Sequence, residues 1–76
     1  MRAKVIDINF YSDKDWVLKL KQSDGIECFV MTKDIYDKLG IETPISKKVL
    51  DSVDIGSSFL IETIYDGNRN LVVKLN

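Results

Sequence analysis

Apolar and polar residues alternate from the start of the chain. In AKVIDINF, residues 3–10, Ile6, Ile8 and Phe10 fall on one side and Asp7 and Asn9 on the other, the period-two pattern of a half-buried strand. The polar run Ser12, Asp13, Lys14 and Asp15 breaks the pattern. Trp16, Leu18 and Leu20 then resume it, with Val17, Lys19 and Lys21 between them, predicting a second strand over 15–22. Ser23, Asp24 and Gly25 mark a hairpin, since glycine accepts the positive φ of a tight connection, and IECFVM, 26–31, is the third strand. Thr32 is placed to cap a short helix over Lys33–Leu39, with Asp34 in its first turn, Lys38 in its last and Gly40 closing it. Ile35, Tyr36 and Leu39 would share its inner stripe.

The pattern weakens between Ile41 and Gly56. Pro44 and Ser46 precede a further turn or two of helix in KKVLDSV, with Ile45, Val49, Leu50 and Val53 facing inward. SSFLIETIY then predicts a strand, DGN a tight connection, and RNLVVKL the last strand. With one proline and no repeat or linker, 1–76 is expected to be a single small domain, with a folded surface of about 4,700 Å².

Five short one-sided strands expose less edge as a barrel than as an open sheet, so a mainly β, five-stranded barrel is expected. Its order, three strands, a helical connection and two strands (β-β-β-α-β-β), resembles the oligonucleotide/oligosaccharide-binding (OB) fold. VIDINF, WVLKLK and IECFVM match the initial meander, TKDIYDKLG the helix, and FLIETIYDGNRNLVVKL the closing hairpin. The resemblance covers nearly the whole chain and is one of layout, with no diagnostic motif. It implies a shallow nucleic-acid surface on the second and third strands and the adjoining loops. The first strand lacks the mid-strand glycine often used to bend it around such a barrel, so imperfect closure is expected.

Eleven Lys and Arg against twelve Asp and Glu leave a net charge of −1, so any nucleic-acid binding needs a local basic patch. With no His and one Cys, the chain cannot assemble a structural zinc site or an internal disulfide, and Cys28 in ECFVM is expected to be a buried small hydrophobe. The first fifteen residues carry no apolar core of a signal peptide, and no segment approaches a membrane span. A cytoplasmic location without membrane association is expected. Asp13, Asp15 and Glu62 are not accompanied by a His, a nucleophile elbow or a phosphate-binding glycine loop, so neither enzyme activity nor a cofactor is expected.

The register of the first hairpin decides what the barrel displays. A three-residue loop with Gly25 at the bulge position pairs Lys21 with Glu27, Leu20 with Cys28, Lys19 with Phe29 and Leu18 with Val30. That sends Trp16, Leu18, Leu20, Cys28 and Val30 inside and leaves Val17, Lys19, Lys21, Glu27, Phe29 and Met31 outside. A two-residue turn at Asp24 and Gly25 would shift the pairing by one and bury Phe29 and Met31. The first register is preferred because its inner face is wholly apolar.

In it, Phe29 beside Lys19 and Lys21 offers a π face for a base and cations for phosphates, with Tyr11 as a second platform and Arg69 in the DGNRN tip as a donor. Ordinary packing competes: an aromatic in so small a chain is more often core, alternate lysines are usually a solvated face, and Asp7, Asp13 and Asp15 oppose phosphate. Lys47 and Lys48, followed by Asp51 and Asp54, are expected to be plain solvated surface. The leading expectation is a small non-catalytic protein that binds single-stranded nucleic acid, DNA foremost, through Lys19, Lys21, Phe29, Tyr11 and Arg69. The alternative is a protein-interaction module or small inhibitor, in which Val17, Phe29 and Met31 cover a protein partner or a second copy in a homodimer.

Overall fold

Each alternating run becomes a strand. The computed structural model describes the backbone of residues 1–76 and every side chain except that of Lys47. The expectation for Lys47 therefore lies outside the described residues; Lys48 is exposed. The elements are β1 (Arg2–Ser12), β2 (Asp15–Gln22), β3 (Glu27–Met31), α1 (Lys33–Leu39), α2 (Lys47–Leu50), β4 (Ser58–Tyr65) and β5 (Asn70–Leu75). They close into a barrel of order β1-β2-β3-β5-β4, β4 returning to β1, with α1 between the third and fourth strands. This is the expected OB-like arrangement. Its accessible surface, 4851 Å², agrees with the size scaling. No helix among the described residues is long and apolar enough to cross a membrane.

Closure is complete, contrary to the expectation drawn from the missing glycine. Val5 faces Leu20 and Asp7 faces Lys19, so Ile6 is an extra residue in β1, and a bulge of this kind bends and twists its strand. The bulge also corrects the expected face of Ile6, Ile8 and Phe10. Before it, Ala3 and Val5 point inward; after it, the phase shifts and Ile8 packs against the core, while Ile6 is half-buried. Phe10 follows Ile8 in phase but reaches the barrel end, where it is 52% exposed.

The first hairpin takes the three-residue loop. The Gln22 amide donates to the Ile26 carbonyl (2.8 Å), Gly25 adopts φ 92°, and the Asp24 carboxylate accepts the Ile26 amide (3.0 Å). The ladder pairs Lys21 with Glu27, Leu20 with Cys28, Lys19 with Phe29 and Leu18 with Val30. Trp16, Leu18, Leu20, Cys28 and Val30 accordingly join Val5, Ile61 and Val72 in the core. Burial pushes the Cys28 thiol above its ordinary range.

The helical connection seals the weakest seam. β3 and β5 share one parallel bridge, Phe29 with Leu71, and the neighbouring Val72 carbonyl instead accepts the Tyr36 hydroxyl at 2.6 Å. Burial pushes that phenol up to about 12. Tyr36 is the fully buried side chain of α1; of the others expected on the same stripe, Ile35 is half-buried and Leu39, in the last turn, is 43% exposed. Thr32 occupies the N-cap without a side-chain capping bond, and Gly40 ends the helix in the left-handed conformation. The further turn of helix is α2, and Ile45, Leu50 and Val53 are buried as expected. Val49 is corrected to the surface, since adjacent helical residues diverge by about 100° and Leu50 takes the inward position.

Candidate nucleic-acid interface

Paired residues in a sheet project to the same side, so the ladders assign each side chain to a row on the outer surface. One row runs Asp7, Lys19, Phe29, Leu71 and Ile64 across β1, β2, β3, β5 and β4. Its neighbour toward the β1–β2 loop is Asn9, Val17 and Met31; its neighbour toward the first hairpin is Lys4, Lys21 and Glu27. Val17, Lys19, Phe29 and Met31 are half-buried and Lys21 and Glu27 exposed, so the six expected outward residues all lie on this face.

Phe29 sits at the centre of the face, and Lys19 is bound up with it. The Lys19 ammonium lies 5.8 Å from the ring centroid, within cation–π range, and 3.5 Å from the Glu27 carboxylate. The ring therefore already carries a cation, and that cation is already paired. Leu71, opposite Phe29 across the seam, is fully buried, so the accessible part of the row is interrupted between Phe29 and Ile64.

Arg69 reaches this face from the loop 66–69. Asp66 organises the loop by accepting the Asn68 and Arg69 amides (2.9 and 3.0 Å), bonds that hold its carboxyl below the ordinary range. The last strand begins at Asn70, which leaves Arg69 in the loop. Its guanidinium donates to the Met31 sulfur and lies 3.8 Å from Asp66. A residue 38 positions away in sequence is thus delivered to the edge of the Phe29 surface.

Tyr11 is not brought to Phe29. It is 70% exposed at the second irregularity of β1, two strands over and roughly 13 Å farther along than the Asp7–Lys19–Phe29 row. Asp13 and Asp15 lie at that same distant end, so of the three opposing carboxylates only Asp7 faces Lys19. Asp7 is itself engaged by the Ile8 amide and the Asn9 side chain, both at 3.0 Å. A cleft of about 480 Å³ opens between the β1–β2 loop and α1; Trp16 and Ile45 line it together with two lysines and three aspartates, so it gathers no positive charge for a phosphate.

The sequence pattern missed two cations beside the site. Arg2 and Lys4 alternate with Ala3 and Val5, a signal visible in the first five residues but obscured when the strand is read in the phase of Ile6 and Ile8. Lys4 lies directly opposite Lys21. Comparison of the chain with protein-family models, curated proteins and solved structures finds no match.

Proposed function

We propose that this protein binds single-stranded nucleic acid, DNA foremost, on the outer face of β2 and β3. The observation that carries the proposal is the hairpin register, with Lys19, Lys21, Phe29 and Met31 outward on adjacent rows and Arg69 at their edge. Phe29 supplies a surface on which one base stacks, a contact worth about 1–3 kcal/mol and tolerant of base identity. Lys19 and Lys21 flank it as phosphate contacts, which makes binding salt-dependent. The OB-like layout, in which this face commonly serves nucleic acid, supports the same reading by analogy.

A second reading has its own support. Lys19 is paired with Glu27 and covers the Phe29 ring, so Val17, Phe29 and Met31 form a largely neutral apolar surface, as suits a protein partner. Fluorescence anisotropy with labelled oligo-dT and a matched duplex at low salt separates the two. The nucleic-acid proposal expects weak binding that favours the single strand and declines with salt. Absence of binding at high micromolar protein, together with a salt-insensitive oligomer in sedimentation, overturns it in favour of the interaction module.

A further inference from the structure

Beside the Phe29 face lies a depression of about 160 Å³ lined by Arg2, Ala3, Lys4, Lys21, Ser23 and Ser58. The ladders assemble it from three strands: Lys4 faces Lys21 on β2 and Ser58 on β4, and the Ser23 amide donates to the Arg2 carbonyl. No carboxylate lines it. Among the described residues, Arg2, Lys4 and Lys21 make no ion pair; the Glu27 carboxylate beyond Lys21 goes to Lys19 instead. Among the described residues the one side-chain bond of the group is from the Arg2 guanidinium to the Ser58 hydroxyl, at 3.4 Å.

Like charges placed directly opposite on neighbouring strands destabilise a sheet, and Lys4 against Lys21 is such a pair. In a chain whose net charge is −1, three unneutralised cations around two serine hydroxyls are a local excess that an anion would relieve. The residues that border this shallow, mostly apolar depression carry guanidinium, ammonium and hydroxyl groups, a donor set that suits a tetrahedral oxyanion with several acceptor oxygens. The side chains are exposed, so the oxyanion can remain part of a larger molecule.

We propose that Arg2, Lys4, Lys21, Ser23 and Ser58 form a phosphate-binding subsite. In its fuller form the inference rests on the nucleic-acid reading: Lys21 belongs to both surfaces, so a strand stacked on Phe29 runs across β2 and lays a phosphate between Lys4 and Arg2. The same chemistry would also take a free phosphate or a phosphomonoester, and the test distinguishes these sources.

Arg2→Ala and Lys4→Ala are compared with the unaltered protein by oligo-dT titration over a range of salt, with Lys38→Ala as a control on the far helix. Each subsite variant should flatten the dependence of log K on log salt by about 0.7, the single-strand value for one phosphate, while the control leaves it unchanged. Inorganic phosphate, titrated at constant ionic strength into isotopically labelled protein, should shift the Arg2, Lys4, Ser23 and Ser58 amides. If oligo-dT binds with both variants keeping the full slope, and phosphate moves none of these amides, the subsite is refuted and the Phe29 reading survives. If no oligonucleotide binds but phosphate moves the amides in a manner that Lys4→Ala abolishes, the subsite stands as a site for free phosphate and the nucleic-acid reading falls.

Discussion

Two patches share the outer surface of this barrel, and they differ in what their cations are doing. Around Phe29 two of the three nearby cations have acidic partners, Lys19 against Glu27 and Arg69 against Asp66, and the third, Lys21, is shared with the neighbouring patch. Around Lys4, one row away, Arg2, Lys4 and Lys21 have none among the described residues. The first patch offers an aromatic ring with its charge largely spent; the second offers charge with no ring. Register makes the difference, because the same Glu27 stands opposite Lys21 and diagonal to Lys19 yet reaches Lys19. In a chain of nearly balanced charge, what is available for a ligand is set by such neighbours and not by composition.

The largest expected effect separates stacking from charge. Phe29→Leu keeps apolar bulk beside Leu71 and preserves the fold, since hydrophobic swaps of similar size usually cost less than about 1.5 kcal/mol. It removes the π face, so affinity for oligo-dT should fall by roughly 5- to 150-fold, the equivalent of about 1–3 kcal/mol. The salt slope should stay where it was. A loss of slope instead would show that Phe29 acts by holding the lysines in place, and the two patches would then not be independent.

A smaller effect would blur the contrast between the patches. Glu27→Gln removes the carboxylate that holds Lys19 without disturbing the ladder, so the Phe29 patch should come to resemble the basic one. Exposed pairs of this kind are worth about 0–1 kcal/mol, so affinity should rise by no more than about fivefold, with the salt slope steepening by about 0.7. Unchanged affinity and slope in the same titration would mean that Lys19 takes no part in phosphate contact.

The contrast also shows where the sequence was informative. Gly25 and the alternation in WVLKLK and IECFVM located the first hairpin and favoured its observed register over a one-residue slip, because the slip would have put Glu27 on the inner face with Phe29 and Met31. Gly40, Pro44 and the two runs of the second half bounded the remaining elements for the same local reasons. Arg2 and Lys4 were hidden by a bulge, an irregularity of phase that no period-two pattern reveals until Val5 and Ile8 are both found facing inward. The pairing of Lys19 with Glu27, the reach of Arg69 to Met31 and the Tyr36 bond to Val72 depend on tertiary neighbours, up to 38 residues apart, and local spacing carries no trace of them.

The central claim is that a single strand lies on the outer rows of β2 and β3. Backbone amide shifts of labelled protein, followed during an oligo-dT titration, test it most directly. The expected result is a contiguous set of perturbed amides at Val17, Lys19, Lys21, Phe29, Met31 and Arg69, extending to Lys4, with the turn at 54–57 and the exposed side of α1 unmoved. Perturbations centred instead on Asp13, Thr32 and Asp34 at the far cleft, with the Phe29 row unaffected at saturation, would contradict the account.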